Sequence, residues 1–273
     1  MACLSAFVWG AACSLLPFND LKPTDGPWGN GPSDAAAEAT SETAAPSSAY
    51  ARAVLDDSPV SYWRLEETSG TVARDEMGRH DATYEGNPAF GEPGVGGRAV
   101  LFKGRSTRLT LGDAFRFADR SSFSLECWLK PNAIASDSAR FIVSRRTSTD
   151  PEQGYAIYYS VMPDSGYVLF ERTVDSAPQG YAYSRDLVRD TFAHLVATFN
   201  GPSQTTRLYV NGVLAEEKAS AGAIGDGSGV FAWANNGRSA DSTDFQGALD
   251  ELAVYDKALS PSQVSAHYAA GTR

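Results

Sequence analysis

The stretch FAHLVATFNGPSQTTRLYVNGVLAEE, residues 192–217, decides the fold. Phe192 to Phe199 is an apolar run, and Gly201-Pro202-Ser203 makes a turn. Arg207, Leu208, Tyr209 and Val210 then lead into Asn211-Gly212. That dipeptide accepts positive φ at both central positions, which makes it the strongest short-range signal for a hairpin. Val213, Leu214 and Ala215 return along the partner strand. A strand, a loop and an Asn-Gly hairpin make a β-meander, and so a sheet protein.

The chain upstream of this stretch keeps the same rhythm. Ser122 to Lys130 alternates cleanly, with Phe123, Leu125, Cys127 and Leu129 on one face and Ser124, Glu126, Trp128 and Lys130 on the other. Short candidate strands lie at 60–67, 99–103, 108–111, 141–144, 155–160, 167–171 and 181–184. Two more follow the hairpin, at 230–233 and 248–255. Residues 73–87 read as a loop dense in oxygen donors, and 91–97 as a Gly/Pro-rich turn. About a dozen short strands separated by turn residues indicate an all-β sandwich or barrel. Two short helices flank the set. One covers Tyr50, Ala53, Val54 and Leu55 and ends before Pro59. The other starts at the Ser260-Pro261 cap and places Val264, His267 and Tyr268 on one face. His267 reads as an edge-of-core residue.

Composition bounds the function. The 273 residues hold 33 acidic and 23 basic side chains, a formal net charge of −10, and no basic stripe. Nucleic acid is therefore excluded as a partner, and a polyanion would be repelled at long range. The hydrophobic share of 42% suffices for a core. Cys127 is alone in the folded part, so no disulfide forms there, and its place between Phe123, Leu125 and Leu129 marks it as a buried thiol.

The N-terminus is of a different kind. Residues 1–13 are small and apolar and end at Cys13 after Gly10-Ala11-Ala12. This resembles the lipobox of bacterial lipoproteins, although no Lys or Arg precedes it and Gly10 stands where Leu is usual. A start codon placed too far downstream would account for these departures. The resemblance implies lipidation at Cys13, and export to the cell envelope (outer membrane or periplasmic face) or beyond. The run is too short to span a membrane. Residues 14–47, rich in Pro, Gly, Ser, Thr and Ala, read as a disordered tether. The folded domain is expected over 48–273.

Within that domain, SAYARAVLDDSPVSYWRLEETSG, SFSLECWLKP, TFAHLVATFN, LYVNGVLAEE and FQGALDELAVYDKALSPSQVSAHYAAG occur in one order. In that order they resemble the LamG-like jellyroll family of the concanavalin A-like lectin/glucanase superfamily. The resemblance implies a two-sheet antiparallel jellyroll sandwich with short peripheral helices and a concave face used for ligands. It also implies a structural Ca²⁺ held by Asp75, in the early Asp-x-x-Gly loop, and by Asp250 of the last strand. The alternative reading makes Asp250 a cap of the loop through hydrogen bonds and Asp75 a turn residue.

Function is not set by such a fold. The Glu-x-Asp-x-Glu and Glu-x-Asp-x-x-Glu strands of the superfamily's hydrolases do not occur here. Asp250-Glu251 are neighbours and are expected on opposite faces. The expectation is a non-catalytic, surface-tethered module that binds a carbohydrate or a cell-surface protein. The alternatives are a hydrolase with carboxylates from separate strands, or a structural module. The sugar-binding candidates are Trp233 with Asn235 and Asn236, the group Tyr155, Tyr158 and Arg145, and the pair Tyr181 and Tyr183.

Overall fold

The structure, a computed structural model, describes residues 48–104, 106–132, 139–147, 150–162, 165–185, 187–237 and 243–273. The signal-like segment 1–13, its Cys13 and the 14–47 tether lie outside the described residues.

Helix α1 (Ala49–Asp56) is followed by β1 (Ser61–Trp63), β2 (Val72–Ala73), β3 (Ala82–Glu85), β4 (Ala89–Pro93), β5 (Arg98–Lys103) and β6 (Arg108–Thr110). Long strands come next: β7 (Phe123–Pro131), β8 (Ala139–Thr147), β9 (Gly154–Met162), β10 (Ser165–Val174) and β11 (Ala177–Ser184). The meander follows as β12 (Ala193–Asn200), β13 (Thr205–Val210) and β14 (Val213–Ala219). Strands β15 (Gly229–Trp233) and β16 (Gln246–Tyr255) and helix α2 (Pro261–Gly271) end the chain.

The strands form two antiparallel sheets. The first runs β14-β13-β12-β7-β16-β5-β4, with β1 added beside β16; the second runs β11-β10-β9-β8-β15-β6-β3-β2. The Asn-Gly turn is as expected: Asn211 (φ 51) and Gly212 (φ 76) join Val210 to Val213. The first strand is shorter than its sequence suggests, because Leu65 sits at φ 58 and turns the chain after Trp63. The segment read as a loop, 73–87, contains β3, and the Gly/Pro-rich turn overlaps the end of β4.

Between the sheets, Phe123, Leu125, Cys127 and Leu129 of β7 meet Tyr155, Ile157 and Tyr159 of β9 and Val168 and Phe170 of β10. The opposite face of β7 is also buried, because α1 and α2 lie over it. Ser48 caps α1 through Ala51 N–H, and Ser260 with Gln263 forms a capping box on α2. Tyr50 and Val54 of α1 and Val264 of α2 complete a second apolar cluster with Trp128 and Tyr209.

At the centre of that outer layer is one carboxylate. Glu126, fully buried, accepts hydrogen bonds from Tyr50 OH at 2.8 Å, His194 Nε2 at 2.7 Å and Tyr255 OH at 2.7 Å. His267 Nδ1 lies 3.0 and 3.1 Å from its two oxygens. The other ring nitrogen of His267 lies 3.0 Å from Asp57 Oδ2. Carboxylates at both nitrogens are satisfied together only by the imidazolium, which donates from each. Burial pulls the His267 pKa down, but the charge of Glu126 and its hydrogen bond outweigh this and raise it. Burial likewise pushes Glu126 up, and the His267 charge and the His194 hydrogen bond bring it well below the usual carboxylate range.

Candidate functional site

Alternation along β9, β10 and β11 also gathers aromatic side chains on the outer face of the second sheet. Tyr155, Ile157 and Tyr159 point into the core, so Tyr158 points out. Val168 and Phe170 point in, so Tyr167, Leu169 and Glu171 point out, and Tyr181 and Tyr183 join them from β11. Register lines these up: Phe141 pairs with Tyr158, Tyr158 with Leu169, and Leu169 with Tyr183. The row crosses four strands, about 14 Å at the usual strand spacing. Its members Tyr158, Leu169 and Tyr183 form the floor of a groove of about 440 Å³, lined also by Tyr167, Glu171, Pro178, Tyr181 and Arg185.

The polar groups of the groove are unequally engaged. Glu171 accepts from Tyr158 OH at 3.0 Å and Thr173 Oγ1 at 2.9 Å, and pairs with Arg146. Burial, then the Glu171 charge, raises the Tyr158 hydroxyl pKa, so it stays a neutral donor. Tyr181 and Tyr183 are 49% and 42% exposed, large values for aromatic rings side by side on a sheet. The outer edge of β11 is closed, since Tyr183 N–H donates to Glu216 of β14 at 2.8 Å. The groove is therefore open, with Tyr181 and Tyr183 presented to solvent.

Of the sequence candidates, the structure brings Tyr158, Tyr181 and Tyr183 together and places the others elsewhere. Trp233 is fully buried against Phe231, ring centroids 5.9 Å apart. Asn235 is buried, donating to Asp244 Oδ1 at 2.6 Å and accepting from Gly237 N–H at 2.8 Å. Tyr155 is buried and donates to the Phe115 carbonyl at 2.7 Å. Arg145 is buried, pairing with Asp113 at 2.9 Å and donating to the carbonyls of Ala114 and Gly227. These four are core or loop-anchoring groups and line no part of the groove. Tyr155 and Tyr158 lie three apart on one strand, so they face opposite ways. Tyr167, Leu169 and Glu171 were missed, although their alternation with Val168 and Phe170 was there to read.

The calcium ion implied by the resemblance requires several hard oxygen donors. Asp75 does not supply one. Its Oδ1 accepts from the N–H groups of Tyr62 and Met77, and its Oδ2 from those of Arg79 and His80, at 2.8–3.1 Å. It is a loop clasp whose lone pairs are taken. Asp250 accepts Val95 N–H on Oδ2 at 2.7 Å, and its buried Oδ1 has no partner. Burial, then the neighbouring Glu251, pushes Asp250 well above the usual carboxylate range. Glu251 does not face the other way. It sits at φ 52 in a bulge of β16, and Tyr62 OH of the outer layer donates to it. Burial pushes it up to about 8, against the Tyr62 hydrogen bond and the Arg64 charge. Among the described residues no group of three or more His, Cys, Asp or Glu could hold a metal ion. Asp75 is thus taken up within its own loop, and of the two carboxylates Asp250 alone keeps a buried oxygen without a partner. We expect the melting temperature to be equal in Ca²⁺ and in EDTA, and Asp250→Asn to shift stability by no more than about 1 kcal/mol. A calcium-dependent rise that Asp250→Asn abolishes would restore the ion.

The fold and groove together define a class: an antiparallel β-sandwich with a tyrosine-lined groove on one sheet. The sequence model of the concanavalin A-like lectin/glucanases superfamily matches residues 103–265, more than half of the chain, and the protein belongs to that superfamily. No curated protein matches it in sequence. Among solved structures, it is similar to domain 4 of AbnA, a GH43 extracellular arabinanase from Geobacillus stearothermophilus, in complex with arabinotriose. The identity is 19% and the TM-score 0.52, covering 76% of this chain and 96% of that one. It is also similar to Trypanosoma rangeli sialidase (15% identity, TM-score 0.57, 77% of this chain and 32% of that one). A third is the binding domain of Paraclostridial Mosquitocidal Protein 1 (15%, 0.58, 78% and 52%). The chain thus spans nearly all of the arabinanase domain, but about a third and about half of the other two. At these identities the likeness is one of fold.

Proposed function

We propose that the protein is a non-catalytic module that binds a glycan in the groove over β9, β10 and β11. The observation that carries this reading is the clustering of Tyr158, Tyr167, Tyr181 and Tyr183 around Leu169 and Pro178. Flat aromatic faces suit the apolar faces of sugar rings, and phenolic hydroxyls suit their hydroxyls. A groove of this volume is within the ordinary range for a ligand site. The arabinotriose bound by a domain of the same fold supports a glycan over a protein partner. A two-carboxylate hydrolysis needs a facing pair, whereas the groove lining holds the single acid Glu171, which is already paired. In this reading the module is exported and displayed from the cell envelope through lipidated Cys13. Labelling with radioactive palmitate, lost in Cys13→Ala, tests that part.

The test of binding is a glycan array followed by calorimetry on Tyr183→Ala and Tyr158→Ala. Each variant is expected to weaken binding about tenfold or more, the loss typical of an aromatic anchor. Tyr183→Ala, a half-exposed site, should change stability by no more than about 0.5 kcal/mol. No glycan binding, together with a protein captured through the same tyrosines, would overturn the reading.

A further inference from the structure

We propose that the groove selects a glycan carrying sparse carboxylates, with uronic acid units, and that Arg185 is the residue that binds the carboxylate. This deepens the glycan reading and rests on it. Arg185 lines the groove beside the tyrosines. It follows Ser184, which pairs with Val168, so it stands across from Tyr167 at the end of the floor. It is exposed, and it makes no hydrogen bond or ion pair with the described residues. The other guanidinium near the groove is engaged otherwise: Arg146 pairs with Glu152 and Glu171 and lies 5.7 Å from the Phe141 ring centre. Glu171, the groove's own acid, is saturated by Arg146, Tyr158 and Thr173, and is not left for Arg185.

Arg185 is the one base in the groove lining, and no acid of that lining is free to engage it. Its planar fork matches a carboxylate in a bidentate pair, a geometry no neutral hydroxyl reproduces. Tyr183 and Arg185 stand two positions apart, about 7 Å along an extended chain. A sugar ring lying on Tyr183 therefore presents its ring substituent to Arg185. The net charge of −10 sets the other limit. A densely sulfated or fully ionised polymer would be repelled by the protein as a whole, so the ligand carries its acids singly among neutral sugars.

The experiment is calorimetry of the full chain with mixed oligosaccharides that contain one galacturonate, glucuronate or mannuronate unit. Each is compared with the same oligosaccharide after chemical reduction of its carboxyl to the alcohol. At least one uronate form is expected to bind tenfold or more tighter than its reduced partner, about the worth of a charge-assisted hydrogen bond. Salt should narrow that ratio. Arg185→Gln should remove the advantage of the uronate form, bringing the ratio of the two affinities close to one. Arg185→Lys should recover part of the loss. Tyr183→Ala should weaken both forms. Equal binding of both forms, or an Arg185→Gln variant that binds both as the parent does, would overturn the charge assignment and leave the glycan site standing. Binding of no member of the panel, neutral or acidic, would overturn both.

Discussion

Glu126→Ala is expected to destabilise the protein by about 3–5 kcal/mol, the usual result of removing one partner from a buried ion pair. In a domain of this size that lowers the melting temperature by roughly 6–20 °C. Glu126 is fully buried on β7, and it accepts donors from α1, β12, β16 and α2. Alanine would leave the tyrosine hydroxyls and His194 without an acceptor. It would also leave the His267 imidazolium with Asp57 alone, whose side chain is 23% exposed and gives a screened interaction. Both helices should loosen first, as faster amide exchange in 49–56 and 261–271, because Glu126 is their shared attachment. Glu126→Gln keeps an acceptor oxygen and removes the charge, so its loss should be smaller. A differential-scanning melt of Glu126→Ala within about 1 kcal/mol of the parent would sink the idea that this carboxylate anchors the helices.

The same cluster shapes the pH profile. Glu126 is depressed from its ordinary 4.5, so its contribution is present above that pH and disappears as pH falls toward its folded pKa. His267 is raised from 6.5, so its contribution is complete below 6.5 and is lost as pH rises through its folded pKa. The pair is therefore fully engaged between 4.5 and 6.5. Glu251, pushed up to about 8, acts in the same direction on the alkaline side, because the unfolded chain releases its proton from 4.5 upward while the fold retains it. The melting temperature should fall from pH 6 to pH 8, and Glu251→Gln should flatten part of that slope. A profile rising over that interval would contradict both assignments.

How much of this was legible depended on how local each signal is. Asn211-Gly212 carries its own conformation, and the meander followed from it without error. The alternation in 122–130 separated Phe123, Leu125, Cys127 and Leu129 from Glu126 and Trp128 correctly. It could not show that helices cover the second face, since that depends on where residues 49–56 and 261–271 return. Convergence of His194 and His267 on Glu126 is long-range topology with no local pattern. Backbone exceptions were also hidden. Leu65 at φ 58 and Glu251 at φ 52 are left-handed positions occupied by residues that do not advertise them. They shortened the first strand and turned Glu251 to the unexpected side. The groove lies between these cases. The sequence offers Tyr158 and the pair Tyr181/Tyr183 as separate candidates, and only the register of three strands puts them on one floor.

Phe123→Ala is expected to cost about 3–5 kcal/mol as well, by a different mechanism: the lost transfer energy of a buried ring and the cavity left behind. The Phe123 ring stacks on Phe117 with centroids 4.7 Å apart and an interplanar angle of 2°. It also lies 4.7 Å from Tyr155, 6.1 Å from Phe170 and 6.1 Å from Phe199. Phe117 is held at φ 34, a conformation that costs of order 1–3 kcal/mol and persists only while its surroundings impose it. Without the stacking partner that strain has less to oppose it, so the segment carrying Phe115 and Phe117 should relax and exchange faster than the strands. Tyr155 and Phe170 are the inward neighbours of the groove strands, yet their β9–β10 backbone ladder does not run through Phe123 and should persist in the variant. Glycan affinity measured well below the melting temperature should therefore change less than about threefold, under 1 kcal/mol. Tyr183→Ala should do the reverse, losing affinity with an unchanged melt. Loss of both properties in both variants would mean that the outer tyrosines and the core form one cooperative unit, and that the groove is not the independent, solvent-facing floor described above.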